Sequence, residues 1–366
     1  MRFVFASYCY TPEYKRPEEW LNRVKFYGGI LEALALHHTV ISIEQIDYEG
    51  ALLHNGVQYY FKRTSKFGRK FPVRLHRFIM SLESDFVFVH GLHFPLQLLQ
   101  LRAYLGSQVK IMVQHHAELP GNGMIEILQQ LADRYINAYL FASHNLGLNW
   151  VNRGNLASVQ KIHEVMEVSS VFYPIDRQSA ISKTGVKGAP VFLWVARLEQ
   201  KKDPLNVVRA FLEFAKINTG ARLYMIYHVD DLLSNIHEVL NEYADVSGSI
   251  VLVGQLQHDD LIYWYNSADF IISGSIYEGA GTAICEAISC GLFPVLTAIP
   301  SFQMMTGNGK FGLLYEAGNK QELLNCLLKT AEVNIQDAQV TILDHYKTEL
   351  SFSAIAGKIS QIASSL

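Results

Sequence analysis

The sequence predicts an α/β protein built from two doubly wound parallel-sheet domains of the Rossmann-like kind. Short apolar strands alternate with amphipathic helices over residues 2–143, and the same alternation returns over residues 191–297. Such alternation is typical of parallel sheets that helices cover on both faces. The length of 366 residues also suits two domains, because a domain usually runs about 100–200 residues.

The first series of elements opens on a strand and a long helix. The helix spans Glu18–Leu36, because its apolar residues recur near one helical face. A second helix is predicted at Ile125–Tyr135. The predicted strands are Arg2–Ser7, Thr39–Ile43, Asp85–His90, Val109–Gln114 and Ala138–Ser143.

The pattern stops over residues 173–190, whose Pro, Gly, Ser, Thr and Lys content predicts an interdomain linker. We therefore place the domains at 1–172 and 173–349. The predicted strands of the second domain are Val191–Val195, Arg222–Tyr227, Ile250–Val253, Phe270–Ser273 and Pro294–Thr297. The predicted helices are Asp203–Lys216, Asp259–Ser267, Thr282–Cys290 and Phe352–Leu366.

Composition excludes several classes of protein. The formal net charge of −3 argues against a general nucleic-acid binder, so nucleic acid is not expected as a partner. The four cysteines form no C-x-x-C pair, which suggests neither a zinc site nor a disulfide framework and fits a reducing cytoplasm. No apolar run reaches the roughly 18 residues of a transmembrane helix, so we expect a cytoplasmic protein.

The first segment that suggests a binding site is the loop after the strand Val191–Val195. It presents Arg197 and Lys202 before Pro204, a residue favoured in the first turn of a helix. Two cations at the carboxyl edge of a parallel sheet suit an anionic ligand, because such sheets bind ligands at that edge. Arg offers a planar fork for phosphate oxygens and Lys a mobile point charge. Taken alone, the loop favours a solvated Lys-rich surface over a binding site, because a pair of basic residues is a weak motif.

The second segment follows the strand Phe270–Ser273. Gly279 and Gly281 form a loop before a helix that begins near Thr282. Glycines let a ligand approach the backbone, and a helix N-terminus offers unpaired N–H groups to a phosphate. Glu278 and Glu286 can accept hydrogen bonds from vicinal hydroxyls of a sugar or ribose. The alternative is a simple turn followed by a helix whose dipole Glu278 stabilises.

In combination these segments resemble the GT-B retaining glycosyltransferases of glycosyltransferase family 4. The chain has their E-x7-E motif as Glu278 and Glu286, and their R-x4-K pair as Arg197 and Lys202. The other matching segments are Val251–Gly254, Leu261 with Tyr265, Ala268–Phe270, Glu286–Val295 and Gly312–Tyr315. The resemblance is specific over residues 190–330 and weaker before them.

The resemblance implies two Rossmann-like domains that face a deep cleft, with the last helix, 350–366, packing back onto the first domain. It implies a nucleotide-sugar donor in the second domain and a glycan, lipid-linked or small acceptor in the first. By motif, Arg197 and Lys202 would hold the diphosphate, Glu278 the transferred sugar and Glu286 the ribose. Backbone amides of Gly279, Ala280, Gly281 and Thr282 would face the sugar and phosphate. No cofactor and no metal are expected, since the chain holds no Asp-x-Asp triplet.

The N-terminal half matches the family less closely. His115 and His116 follow a predicted strand where the family often has a histidine that faces the donor; we favour His116 as catalytic, with His115 as the alternate and a surface role as the other outcome. His90 or His93 would line the cleft. The family's Gly-Gly loop after the first strand is missing, because Gly28-Gly29 lies inside a helical pattern. Its usual aromatic residue in the E-G-aromatic-G element is replaced by Ala280.

One segment of the first domain is strongly basic. Residues 62–77, from Lys62 to Arg77, hold seven Lys or Arg and no Asp or Glu. This segment could contact an acidic membrane surface or a phosphorylated lipid-linked acceptor, which would place the protein at the inner face of the membrane. The alternative is a solvated loop and helix face, which is the more usual role of a charge run. The rival functions are a nucleotide-sugar epimerase, a phosphorylase, for which no pyridoxal-phosphate lysine is apparent, and a non-catalytic binding relative.

Overall fold

A computed structural model describes all 366 residues and divides into two compact units. The N-terminal unit comprises residues 1–169 and 352–366, and the C-terminal unit comprises residues 170–351. Both are α/β, and each contains one sheet of mainly parallel strands, which confirms the predicted fold class. None of the helices combines the length and the apolar character needed to cross a membrane.

The N-terminal sheet has eight strands in the order β3-β4-β2-β1-β5-β6-β7-β8. Their bounds are β1 Arg2–Ser7, β2 Thr39–Glu44, β3 Gly50–His54, β4 Val57–Phe61, β5 Phe86–His90, β6 Lys110–Gln114, β7 Ala138–Phe141 and β8 Ile162–Glu164. All neighbouring pairs are parallel except β3 with β4. The five predicted strands of this unit are confirmed to within two residues at each end.

The helices of this part of the chain connect those strands. They are α1 Pro17–Arg23, α2 Lys25–Ala35, α3 Lys66–Lys70, α4 Val73–Ser81, α5 Pro95–Tyr104, α6 Met124–Asp133 and α7 His144–Asn152. The single helix predicted over 18–36 is wrong, because the backbone of Val24 (φ −104°, ψ 16°) leaves the helical region and divides it into α1 and α2.

The hairpin β3–β4 was not predicted. Its turn is Asn55-Gly56, and both residues have positive φ angles, 46° and 83°. An Asn-Gly pair between two short apolar runs is a strong hairpin signal, because Asn and Gly tolerate this left-handed backbone. The signal was therefore present in the sequence at residues 50–61.

The C-terminal sheet has six parallel strands in the order β11-β10-β9-β12-β13-β14. Their bounds are β9 Val191–Val195, β10 Arg222–Ile226, β11 Ile250–Gly254, β12 Phe270–Ser273, β13 Phe293–Thr297 and β14 Leu313–Tyr315. The chain thus builds outward from β9 in one direction and then from β12 in the other. This is the doubly wound 3-2-1-4-5-6 order, in which the topology switches between the first and fourth strands.

The C-terminal unit has eight helices, and one of them overturns the linker prediction. They are α8 Arg177–Thr184, α9 Pro204–Ile217, α10 Leu233–Glu242, α11 Leu261–Ser267, α12 Thr282–Ser289, α13 Pro300–Met305, α14 Lys320–Lys329 and α15 Ile335–His345. Helix α8 lies within the supposed linker. Its caps explain why: the Asp176 carboxylate accepts from the Ser179 N–H at 2.7 Å, and Gly185 ends it in the left-handed region.

The final helix, α16 Phe352–Ser365, belongs to the N-terminal unit and packs against α2. A Cβ on Gly29 of α2 would lie 2.7 Å from the Phe352 ring, so the missing side chain makes room for that ring. His38 Nε2 and the Ser360 hydroxyl oxygen are 2.8 Å apart. The last helix therefore completes the N-terminal unit.

Candidate functional site

The candidate donor site lies at the carboxyl edge of the C-terminal sheet, where the topology switches. Strands β9 and β12 are hydrogen-bonded neighbours, and the loops that follow them are residues 196–203 and 274–281. Ligands of doubly wound sheets bind at such a switch point. The two segments that sequence analysis singled out are these two loops.

The two loops pack backbone against backbone. A Cβ on Gly274 would lie 3.0 Å from the Asp203 carbonyl oxygen and 3.1 Å from that of Lys202, so a larger residue would push the loops apart. The Ile276 N–H also donates to the Lys201 carbonyl at 3.0 Å. Asp203 turns the first loop into α9 through a left-handed backbone (φ 44°, ψ 50°), and Pro204 opens the helix.

This packing brings Lys202 to Glu278. Their ammonium and carboxylate form an ion pair in which both side chains are largely buried. The Ser275 hydroxyl donates to the same carboxylate oxygen at 2.7 Å. Thr297 and Ser301 donate to the backbone carbonyls of Ser275 and Glu278 at 2.6 and 3.2 Å, which fixes the loop that carries the acid.

Arg197 sits on the same loop as Lys202 but does not join this ion pair. Its guanidinium lies 3.2 Å from the Glu199 carboxylate, which Lys201 also approaches to 3.2 Å. The Arg197 side chain is half exposed. The structure therefore places Lys202 beside Glu278, in the loop that precedes α12, and holds Arg197 beside a neighbouring acid.

Helix α12 begins with an uncapped N-terminus. Gly281, its N-cap residue, adopts a left-handed backbone (φ 73°), and a Cβ there would lie 2.7 Å from the Phe302 ring. Because glycine has no side chain to cap the helix, the first N–H groups of α12 lack intrahelical partners. Gly279 and Ala280, which lie between Glu278 and this helix start, are buried, and Thr282 is half-buried.

Glu286 lies within α12, about one turn after Thr282, and its side chain is buried. Tyr265 of α11 donates to one carboxylate oxygen at 3.1 Å, and His258 Nε2 lies 2.7 Å from the other. The His258 ring stacks on Phe172, with centroids 4.9 Å apart. Each carboxylate oxygen retains a second lone pair, so Glu286 is oriented by the protein and can still accept from a ligand.

In the N-terminal unit, His115 and His116 follow β6, and the structure separates them. His115 is buried, stacks on Phe141 and has its Nε2 2.9 Å from the Glu118 carbonyl oxygen. His116 has a side chain that is 37% exposed. Only His116 is accessible to a ligand.

His116 belongs to a chain of four polar side chains. Its Nδ1 contacts the Glu167 carboxylate, and its Nε2 lies 3.0 Å from Nδ1 of His90. His90 Nε2 in turn contacts the Tyr27 hydroxyl. The Glu118 carboxylate accepts from the backbone N–H groups of His116 and Leu92 at 2.5 and 2.9 Å, which ties the loops after β6 and β5 together. Both ring nitrogens of His116 are therefore engaged.

The charges in this chain follow from its geometry. Burial lowers the pKa of His116, but the Glu167 carboxylate and its hydrogen bond, together with Glu118, raise it by more, so the net pKa is raised above 6.5. Burial, with His116 beside it, holds the pKa of His90 well below 6.5. Burial raises the pKa of the Tyr27 hydroxyl. A proton in this chain therefore resides on His116, next to Glu167.

Two other predicted features lie on the surface of the N-terminal unit. His93 is exposed on the loop after β5. The basic segment Lys62–Arg77 contains α3 and α4, and it exposes apolar side chains beside its cations, among them Phe67 at 73% and Phe71. Arg63 pairs with Asp47 at 2.9 Å.

Sequence reasoning missed the residues that orient the site. Sequence reasoning gave no role to Ser275, His258 or Glu167. It also did not predict that His90 contacts His116. His258 is 28 residues from Glu286, and Glu167 is 51 residues from His116, so no local spacing marks either contact. Tyr265 appeared only as part of a family segment.

Residues 176–339 match the family described as Glycosyl transferases group 1. This part of the chain is therefore similar to a glycosyl transferases group 1 domain. The matched range contains Arg197, Lys202, Glu278 and Glu286, and it extends from α8 into the first turn of α15.

Solved structures show that the whole chain has the fold of the GT-B glycosyltransferases. Anabaena HepE, in complex with UDP, superposes with a TM-score of 0.76 at 13% identity and covers 100% of both chains. A glycosyltransferase from Rickettsia africae has a TM-score of 0.73 at 16% identity, over 100% of this chain and 98% of its own. Sucrose-phosphate synthase from Thermosynechococcus elongatus has a TM-score of 0.72 at 13% identity, over 100% and 99%.

A curated relative matches part of the sequence. Alpha-monoglucosyldiacylglycerol synthase of Acholeplasma laidlawii is 24% identical over 169 residues, which are 43% of this chain and 42% of the relative. The match thus spans less than half of either protein.

Proposed function

We propose that the protein is a retaining glycosyltransferase that moves a sugar from a nucleoside-diphosphate sugar to an acceptor without a metal. The observation that carries the proposal is the convergence of Lys202, Glu278 and the start of α12 at the switch point of the C-terminal sheet. The match to the group 1 family and the UDP-bound HepE structure of the same fold support a nucleotide-sugar donor.

The leaving group determines which charge the site must stabilise. In the reaction, the bond between the anomeric carbon and the β-phosphate oxygen breaks, and a bond to the acceptor oxygen forms. The acceptor hydroxyl releases its proton to solvent, and the nucleoside diphosphate leaves with the electron pair of the broken bond and one more negative charge. Lys202, Arg197 and the free N–H groups of α12 would stabilise that charge, and fixed positive groups of this kind are usually the largest contribution to catalysis.

The remaining donor contacts follow from the carboxylates. Glu286, oriented by Tyr265 and His258, would accept hydrogen bonds from the ribose hydroxyls. Glu278, which Lys202 and Ser275 hold in place, would accept from hydroxyls of the transferred sugar. Backbone amides at Gly279, Ala280, Gly281 and Thr282 would face the sugar and the β-phosphate.

His116 is the residue of the N-terminal unit to which we assign a catalytic role. Its raised pKa favours the positively charged ring, which could donate to a sugar hydroxyl or balance charge on the donor. Because both of its nitrogens have partners, it must exchange its bond to His90 for one to the ligand. Glu167 is then a positioning residue that holds the ring through Nδ1.

The acceptor is a glycan or a lipid-linked molecule bound by the N-terminal unit. A relative that its name describes as a diacylglycerol glucosylating enzyme supports the lipid alternative. So does the basic segment Lys62–Arg77, since its seven cations would attract an acidic membrane surface on the cytoplasmic side.

The test is a donor panel with product analysis. The full chain is incubated with UDP-, GDP- and ADP-sugars, with and without membrane lipid extract, and release of nucleoside diphosphate and glycosylated product is measured. Acceptor-dependent release in EDTA, with the anomeric configuration retained by NMR, supports the proposal. Conversion of the donor to an isomer without acceptor supports an epimerase instead, and the same turnover in Glu278→Ala as in wild type rejects the assigned site.

A further inference from the structure

Helix α6 carries an apolar stripe on its solvent side. Met124, Ile127 and Leu131, at helical spacings of three and four, are all exposed, with Met124 at 71% and Ile127 at 51%. We call these three residues the α6 stripe. The opposite side of the helix buries Gln129 and Ala132 against the N-terminal unit. A surface helix normally turns its apolar side inward, so this stripe lacks the partner that its composition demands.

The patch extends toward His116. Leu119 and Ile125, on the loop and the first turn of α6, are also exposed and apolar. Leu119 follows His116 by three residues. The exposed apolar surface therefore includes a residue of the loop that carries the histidine to which the proposed function assigns a catalytic role.

The α6 stripe shares its face of the sheet with the basic segment. From β4 to β7 the chain crosses the sheet in one direction, so right-handed connections place α4, α5 and α6 on one face. Helix α5 contacts both α4 and α6. Gln97 and Gln100 of α5 donate to the carbonyls of Arg69 and Lys70 at 3.0 and 3.3 Å, which fastens the basic segment to that layer.

We propose that this face of the N-terminal unit lies on an anionic bilayer. The α6 stripe enters the boundary between headgroups and acyl chains, and Lys66, Arg69 and Lys70 bind lipid phosphates. Interfacial helices combine exposed apolar side chains with cations; here α6 supplies apolar side chains and the basic segment supplies the cations, together with Phe67 and Phe71. The inference rests on the proposed function and narrows its acceptor to a lipid held in the membrane, which the bilayer contact brings to the loop of His116.

Charge favours a bilayer over a second copy of the chain. The basic segment has seven cations and no acid, and Arg63 is the one that pairs with a carboxylate, Asp47. A symmetric dimer through this face would bring two such segments toward each other, and like charges repel. An anionic lipid surface removes that repulsion and attracts each cation near it by about 1 kcal/mol.

The experiment is vesicle flotation of the full chain. Vesicles of phosphatidylglycerol with phosphatidylcholine are compared with vesicles of phosphatidylcholine alone. The test variant is M124Q/I127Q/L131Q, since Gln keeps a good helix propensity on an exposed face. The matched control, L36Q/I217Q/V340Q, removes three exposed apolar residues elsewhere. A third variant, K66Q/R69Q/K70Q, tests the charges.

We expect wild type and the matched control to float with anionic vesicles, less so at high salt, and the α6 variant to bind at least about tenfold more weakly. The charge variant should lose the preference for anionic lipid. The inference is overturned if wild type binds neither vesicle, or if the α6 variant binds as wild type does. It is also overturned if sedimentation velocity shows a dimer that the α6 variant dissociates.

Thermal stabilisation by UDP, GDP and ADP separates this inference from the proposed function. Nucleotide binding by wild type without vesicle binding rejects the bilayer contact alone. Vesicle binding without turnover of any nucleotide-sugar rejects the proposed function and leaves the lipid-binding face in place.

Discussion

The Lys202 ammonium forms an ion pair with the Glu278 carboxylate, although the two residues are separated by 76 positions and lie on different loops. The contact exists because β9 and β12 are neighbours and Gly274 lets the loops after them meet. It joins a cation suited to a diphosphate with an acid suited to a sugar hydroxyl. We therefore expect substitutions of Lys202 and of Glu278 to change nucleotide binding and turnover to different degrees.

Glu278→Gln should impair turnover more than nucleotide affinity. The variant keeps the size of the side chain but loses the charge that accepts from the sugar, while Lys202 remains available to the diphosphate. We expect turnover to fall about a hundredfold, and UDP affinity to change less than about threefold. Single-turnover release of nucleoside diphosphate and calorimetry of UDP measure the two. Ser275→Ala, which removes only the supporting hydroxyl, should lie between wild type and Glu278→Gln.

Glu286→Gln should weaken nucleotide binding through the ribose. Losing the charged acceptor of two hydroxyls should cost about tenfold in affinity, measured by calorimetry. A 2′,3′-dideoxy nucleotide is the control, since it has no hydroxyl to donate. The dideoxy nucleotide should bind wild type and variant with equal affinity. An equal loss of affinity for both nucleotides would contradict a contact between Glu286 and the ribose.

Glu167→Gln should alter the pH dependence of stability. The net pKa of His116 is raised in the folded protein, so its stabilisation is fully present below the unfolded pKa of about 6.5 and is lost as pH rises through the folded value. Urea unfolding should therefore show a larger deficit for the variant at about pH 5.5 than at about pH 9. Glu238→Gln, at an exposed carboxylate on α10, should show no such trend. A deficit independent of pH would mean that Glu167 holds His116 without favouring its charge.

Only one of the four thiols should react in the folded protein. Cys9 is exposed, whereas Cys285, Cys290 and Cys326 are buried. Burial raises the pKa of Cys290 to about 12 and raises that of Cys285 further, so neither forms the reactive thiolate. A disulfide reagent should titrate one thiol per chain in buffer and four in denaturant. The Cys9→Ser substitution should abolish the reaction in buffer. Fast reaction of a second thiol in buffer would contradict the packing of α12 or of α14, which carries Cys326.

Much of the C-terminal unit was predictable because its signals are local. Glycines and a carboxylate between a buried strand and a helix identify the β12–α12 turn without a structure, and the alternation of strands and helices predicts a parallel sheet. The strand order, in contrast, depends on long-range packing, so the meeting of Lys202 with Glu278 emerged only from the fold. Helix α8 was missed because its cap residues, Asp176 and Gly185, also suit a loop.

The N-terminal unit was harder to predict for a physical reason. The role of His116 depends on Glu167 and His90, which reach it from β5 and from the chain after β8, and sequence spacing carries no record of such contacts. Two adjacent histidines left the choice between them open until burial distinguished His115 from His116. The Asn55-Gly56 turn, in contrast, was a local signal that predicts its hairpin.

The most direct test of the central claim is calorimetry of a nucleoside diphosphate against its monophosphate, for wild type and Lys202→Met. If the loop after β9 and the start of α12 bind a diphosphate, wild type should bind UDP, or the diphosphate of the correct base, at least about tenfold more tightly than the monophosphate. Lys202→Met should remove most of that difference, and Lys202→Arg should retain part of it. Equal affinity of wild type for both nucleotides, or a preference for the diphosphate that survives in Lys202→Met, would contradict the account.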